Sequence, residues 1–280
     1  MKFILNFEYY ELYTKVFSMK KNILLFLTLF VITISQAQIL KKQILDSLVI
    51  LTFDDAPASQ YSVVAPLLKQ YGFSATFFVC EFPPNYKDSL LYMNWRQMQE
   101  LYRMGFEVAN HTATHAGVSK LSKDQLIAEL NYIEDKCDSL GIEKPLNFAY
   151  PGYDLSRQAL DVLEEQGYKF ARAGGSRAYD PMNDHPLLVP SWAMVAGNKS
   201  EIMEALKEAK NGKIVVLTIH GVPDLEHPWV NTPPELFEEY LQYLSKHNYK
   251  VVALKKLNEY IDVRQAMKII APDLTKRLKN

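Results

Sequence analysis

Hydrophobic and polar positions along this chain fall into two alternating patterns. Short, nearly unbroken apolar runs read as strands covered on both faces, and they lie near residues 48–54, 73–79, 106–109, 146–149, 168–172, 187–190, 213–219 and 250–253. Between them, apolar residues return every three or four positions, which predicts amphipathic helices over 61–71, 95–104, 122–140, 156–166, 200–210 and 233–246. Thr232-Pro233-Pro234-Glu235 reads as a helix start, with Thr232 as the cap, proline in the first turn and a glutamate three residues after the cap. Regular strand–helix alternation predicts an α/β fold of parallel strands with helices outside. The basic tail from Val263 to Asn280 reads as a surface helix, and the chain carries no internal repeat or low-complexity linker.

Composition changes this picture mainly at the N-terminus. Lys20-Lys21, the apolar run from Ile23 to Ile34 and Ser35-Gln36-Ala37 have the basic, apolar and small-residue parts of a secretory signal. Cleavage after Ala37 is expected, with export to the periplasm or beyond and no stable membrane span afterwards. An uncleaved anchor is the alternative, although the run is short for a spanning helix. No cysteine stands at the cleavage point, which disfavours a lipoprotein. The aromatic-rich stretch before Met19 does not belong to such a signal, so Met19 competes with Met1 as the start. The expected organisation is an extension plus signal at 1–37, one domain at 38–262 and a helical tail at 263–280. From Gln38 onward 27 basic residues face 30 acidic ones, a balance that argues against nucleic acid and suits a neutral glycan. Cys80 and Cys137 are too few for a disulfide scaffold, and the oligomeric state is left open.

Four segments carry chemistry, each at the end of an expected strand. Leu51-Thr52-Phe53-Asp54-Asp55 ends an apolar run on two acids. Alternation along a strand lets neighbouring acids point differently, one toward a metal and one free as a base, although Asp-Asp after a strand is also an ordinary turn. His111 and His115 follow the run from Gly105 to Asn110. Two imidazoles with a carboxylate make a facial set that leaves positions open for water and substrate, and the spacing aims both rings at one ion if the segment is locally helical. Thr112 rather than Glu follows His111, so this is not the His-Glu-x-x-His zinc-protease pattern, and Asp54 fits the vacant role of base. Asn147-Phe148-Ala149-Tyr150-Pro151-Gly152-Tyr153 stops a strand at a turn whose backbone N–H groups can stabilise an oxyanion. The run Lys213–Ile219 delivers His220 as a candidate general acid.

In this order the four segments resemble the polysaccharide deacetylase family, also known as the NodB homology domain or carbohydrate esterase family 4, over roughly Leu48 to Ile261. The resemblance implies a distorted, incomplete (β/α) barrel with the motifs on its C-terminal face. It also implies a divalent metal, most often Zn2+, held by Asp55, His111 and His115. Asp54 is then the base, His220 the acid, and the Gly152 N–H the oxyanion donor. The implied reaction is hydrolysis of N-acetyl groups on amino sugars of a glycan, releasing acetate.

Three departures qualify the transfer. Ala149 stands where the family carries the arginine that orients the base, and Arg172 or Arg177 is expected to replace it. Thr218 stands two residues before His220, where the family tends to have leucine, which predicts a more polar acyl pocket. The usual Asp…Asp-Trp motif has no clear match, although Asp180, Asp184 and Trp192 lie in its region. Tyr153, Trp192 and Trp229 are candidates for stacking on a sugar ring, whereas His185 and His227 read as surface residues. Ala149 and Thr218 also motivate an alternative, a same-fold hydrolase of O-acetyl esters or a non-sugar amide. Two further alternatives are a non-catalytic glycan-binding module and a cytoplasmic metal-independent amidohydrolase, the latter opposed by the leader sequence.

Overall fold

The computed structural model describes Phe17, Met19, Lys20 and residues 39–275. The extension and signal read from residues 1–37 therefore fall, apart from those three residues, outside the described residues.

The unbroken apolar run Leu48–Phe53 becomes β1, and all six residues are fully buried. Burial of each of its Leu, Ile, Val and Phe side chains contributes about 1.5–3 kcal/mol, which requires cover on both faces. One flank carries β2 (Thr76–Val79), β3 (Glu107–Asn110), β4 (Asn147–Ala149) and β5 (Phe170–Arg172). The other carries β7 (Val215–Ile219) and then β6 (Trp192–Ala193), while β8 (Lys250–Val252) pairs with the start of β1. Every pairing between these strands is parallel. The architecture is the distorted, incomplete (β/α) barrel expected from the sequence.

Between β5 and β6 the curl stays open except for one parallel bridge, Arg172 to Val189. The strand expected at 187–190 is instead a 3-10 turn, Pro186–Leu188, with His185 Nδ1 accepting from Leu187 N. Pro186 fixes the turn's first φ, and a short apolar run cannot by itself distinguish a buried turn from a buried strand. Strand pairing resumes at Trp192 and Ala193, against Leu217 and Thr218.

Helices fill the connections. A π-helical turn at Gln60–Val64 leads into α1 (Ala65–Gln70), followed by α2 (Trp95–Arg103), α3 (Lys123–Ser139) and α4 (Arg157–Glu165). The later helices are α5 (Lys199–Leu206), α6 (Pro234–Lys246) and α7 (Val263–Ile269). Asn94 with Gln97 and Ser122 with Gln125 form reciprocal capping boxes on α2 and α3, which satisfy otherwise orphaned N–H groups. Thr232 does not cap α6: Pro233 occupies the cap position, and the Thr232 hydroxyl donates to Met194 O. The tail helix ends at Ile269, because Pro272 has no N–H to continue it and disfavours helical backbone at Ala271.

Strand alternation separates two layers of core. Val49, Leu51 and Phe53 face the helices with Leu68, Phe237 and Leu241. Leu48 and Ile50 face the barrel interior with Phe78, Ala149, Phe170 and Val216. Cys80 and Cys137 are both buried and free. Among the described residues no helix is long and apolar enough to cross a membrane.

Candidate active site

Parallel strands bring the ends of β1, β3, β4, β5 and β7 to one rim, where the ladder runs one residue past the strands. Asp54 N donates to Ile219 O at 2.9 Å, His111 N to Val79 O at 3.2 Å and Tyr150 N to Arg172 O at 3.1 Å. The sheet backbone itself therefore places Asp54 and His111. Gln60, fully buried, adds a clamp: its Nε2 donates to Asp54 O at 2.5 Å and to His220 O at 3.3 Å.

Asp55 turns away from Asp54 through left-handed backbone, with φ 69° at Asp55 and 57° at Ala56. His111 and His115 are not on a helical turn. Left-handed Thr112 and His115, φ 60° and 54°, fold the loop instead, bringing the two rings to 4.9 Å between centroids. Asn110 Oδ1 accepts from Thr112 N, and Glu129 on α3 accepts from both Thr114 N and Thr114 Oγ1. Tyr153, another neighbour of the site, has φ 56°. Left-handed backbone at non-glycine residues costs of order 1–2 kcal/mol each, and its concentration here marks geometry imposed by the fold.

The product is a convergent donor set. His111 Nε2 and His115 Nε2 each lie 3.3 Å from Asp55 Oδ1, and the ligand atoms of all three residues lie within 4.8 Å of one another. His111 Nδ1 is 2.8 Å from Ala149 O, a contact that leaves Nε2 as the lone-pair nitrogen facing Asp55. Asp55 Oδ1 is buried without an aligned hydrogen bond. Such an orphaned carboxylate oxygen facing two imidazole nitrogens fits a divalent cation of the zinc type. Burial would raise the Asp55 carboxyl, but contact with His111 and the positive charge that His220, His111 and His115 carry when protonated outweigh it and hold it below the usual carboxylate range. Burial and the neighbouring His111 push His115 down to about 4, so it is a neutral donor at ordinary pH.

Asp54 lies beside this set, its Oδ2 3.8 Å from His111 Nε2. Its Oδ2 accepts from Arg172 Nη2, while its Oδ1 is buried without a hydrogen-bond partner. Arg172 is fully buried, with its guanidinium 5.5 Å from the Phe78 ring centroid and 5.3 Å from that of Tyr153. Arg177 lies elsewhere, paired with Asp184, and Asp180 accepts from Met182 N and Asn183 Nδ2 in its own loop. His220 Nε2 is 3.7 Å from Asp55 Oδ2, and its Nδ1 is buried without a partner.

A cavity of about 280 Å³ opens over this centre, lined by Asp54, Asp55, His111, His115, His220, Gly152 and Tyr153. Phe82, His227 and Trp229 form its aromatic side. Phe82 lies 4.6 Å from the His115 ring and 4.9 Å from His227, which lies 5.3 Å from Trp229. Trp229 is 71% exposed and available to a ligand, whereas Trp192 is 4% exposed and packs in the core, leaving neighbouring Ala193 at the cavity wall. His185 and His227 are not surface residues. His185 is buried as the cap of its turn, and His227 lines the cavity with Nδ1 3.5 Å from Asp224. Thr218 is fully buried but does not line the cavity, so it adds no polarity there. Gln60 and Phe82 had no local sequence signal, since neither belongs to an apolar run that ends on a motif.

This is a parallel open barrel with an acid–histidine centre at its C-terminal rim, and the comparisons agree. Residues 41–171 match the family model for polysaccharide deacetylase. A peptidoglycan-N-acetylglucosamine deacetylase of Bacillus cereus is 27% identical over 217 residues, spanning 77% of this chain and 90% of that protein. Among solved structures, the carbohydrate esterase family 4 domain of a multidomain xylanase from the hindgut metagenome of Trinervitermes trinervoides superposes with a TM-score of 0.54 at 23% identity, covering 77% of this chain and 91% of that one. A pseudoenzyme of the same family from Bacillus anthracis gives a TM-score of 0.53 at 17% identity, covering 76% and 65%. Over residues 41–171 the chain belongs to the polysaccharide deacetylase family, and the likeness to the Bacillus cereus protein extends over 77% of the chain.

Proposed function

We propose that this protein is a metal-dependent hydrolase that removes N-acetyl groups from amino-sugar residues of a glycan and releases acetate. The observation that carries this reading is the division of labour between adjacent acids. Asp55 faces two imidazole nitrogens, while Asp54 is held on one oxygen by Arg172 and keeps the other free of a hydrogen-bond partner. A pure binding site has no need of an unpartnered buried carboxylate oxygen, which is costly to maintain.

Asp55, His111 and His115 would hold the cation, Zn2+ by the character of the donors. When bound, it supplies Lewis-acid polarisation of the acyl carbonyl and of a water. Asp54 then takes a proton from the attacking water, with Arg172 orienting the carboxylate. The Gly152 N–H stabilises negative charge developing on the acyl oxygen. His220 gives a proton to the departing amine, without which the C–N bond would not break at a useful rate. Phe82, His227 and Trp229 offer ring faces to the sugar.

The acetylated glycan as substrate and the cell-wall setting draw support from the Bacillus cereus relative and from the leader-like sequence at 1–37. Residues 38–262 form the catalytic unit in this reading. Thr218 does not favour an ester or non-sugar amide, because its hydroxyl accepts from Arg172 rather than facing the acyl group.

The test is acetate release from N-acetylglucosamine oligomers and peptidoglycan by the metal-stripped and zinc-restored protein, with acetylated xylan in parallel and Asp54→Asn alongside. Zinc-restored release from the amino sugars, lost in the variant, is expected. Release from xylan alone would assign the ester reaction, and tight glycan binding without release from any of them would assign a binding module.

A further inference from the structure

Two of the chain's unusual residues meet in one place. Ala149 and Arg172 are direct register partners across β4 and β5, so their side chains leave the sheet on the same side. Both are fully buried, and the small methyl of Ala149 leaves room beside it for the long side chain of Arg172. The guanidinium crosses that interior to β7, where Nη1 donates to Thr218 Oγ1 at 2.9 Å while Nη2 donates to Asp54. Thr218 Oγ1 is also 2.8 Å from Ser191 Oγ, and Ser191 Oγ donates to Ala173 O at 2.7 Å.

Counting protons fixes the direction of this chain. A carbonyl can only accept, so the Ser191 hydroxyl proton is committed to Ala173 O. The Thr218 proton then goes to Ser191 Oγ or to the Tyr153 hydroxyl, which neighbours both, and either choice leaves a Thr218 lone pair for Arg172. Through Ser191 the order is Arg172 N–H to Thr218, Thr218 O–H to Ser191, and Ser191 O–H to Ala173 O. It ends on the residue next to Arg172, which closes a loop through β5, β7 and the segment between β5 and β6. Successive bonds of this kind polarise one another in a dry interior, and both fork nitrogens that contact neighbours are thereby tied down.

We propose that Arg172, Thr218 and Ser191 act as one positioning unit for the Asp54 carboxylate, Arg172 holding it and the two hydroxyls anchoring Arg172. The unit rests on the deacetylase reading for its catalytic consequence, but its geometry can be tested separately. Thr218→Val keeps the shape and removes both the acceptor and the donor. Thr218→Ser restores both, and Ser191→Ala removes only the outer link.

The experiment measures kcat and KM for acetate release from an N-acetylglucosamine oligomer, zinc content and melting temperature for the wild type and these three variants. It includes crystal structures of the wild type and Thr218→Val. Loss of the anchor should lower kcat about tenfold or more in Thr218→Val, since small misplacements of a reacting group are costly, with KM and zinc content unchanged. Thr218→Ser should stay close to wild type and Ser191→Ala should fall between. A folded, zinc-loaded Thr218→Val with wild-type kcat overturns the proposal, as does failure of Thr218→Ser to restore the rate lost in Thr218→Val. If the zinc-loaded wild type releases no acetate, the functional reading fails and the crystal structures decide. Arg172 displaced from Asp54 in Thr218→Val supports the unit, and an unmoved guanidinium overturns it.

Discussion

Asp54 and Asp55 show how far neighbouring residues of one type can diverge once the backbone separates them. Asp54→Asn should retain zinc by metal analysis and lose about 10²–10⁴-fold in turnover, because amide replaces carboxylate only on the residue outside the donor set. Gln60 makes a different prediction. Its side chain satisfies the carbonyls of both Asp54 and His220, so Gln60→Ala strands buried acceptors and should cost about 1–3 kcal/mol in denaturant unfolding. Gly221 follows His220 in a turn where an added Cβ would lie 2.5 Å from Asp224 Cα and 2.6 Å from Pro223 O. Gly221→Ala should therefore destabilise by about 1–3 kcal/mol, seen as a lower unfolding midpoint. The local patterns around Asp54, Asp55, His111, His115 and His220 were legible because each closes a recognisable apolar run. Gln60 and Phe82 were not, because a residue that acts across the fold leaves no periodicity behind. Trp192 misled for the reverse reason: an aromatic near a motif reads alike whether it faces substrate or core.

At the scale of elements, expectations held for the helices beginning near Trp95 and Ser122, whose capping boxes at Asn94 and Ser122 only the structure reveals. They failed where proline took over, at Pro233 and at the turn beginning with Pro186. The opposite end of the sheet holds a second buried acid, Glu107 at the start of β3. It accepts from Thr76 Oγ1 at 2.7 Å, from Asn147 Nδ2 at 2.5 Å and from Lys255 N at 2.9 Å, tying β2, β4 and the segment after β8 together. Burial raises its carboxyl above the ordinary 4.5 despite these three donors. A group whose folded value is raised favours the folded state below its unfolded value and loses that contribution as pH rises through the folded one. The stability difference between the wild type and Glu107→Gln should accordingly shrink as urea unfolding is followed upward from about pH 4 to about pH 7. A difference independent of pH would contradict the raised value.

For the whole molecule, the centre joins β1 to the loop after β3, so cation binding should couple to global stability. Free zinc at about 100 times its Kd should add about 2.7 kcal/mol, raising the melting temperature in calorimetry, and His111→Ala should abolish the rise. By itself the sequence determined the α/β class and most of the alternation of strands and helices, and it singled out candidate residues for the chemistry, because burial periodicity and strand-end position are local properties. Tertiary structure alone decided that Arg172 rather than Arg177 reaches Asp54, that Thr218 turns inward, and that a non-helical loop brings His111 and His115 together. Those outcomes depend on register between strands far apart in sequence and on left-handed backbone that only the surrounding packing can hold in place.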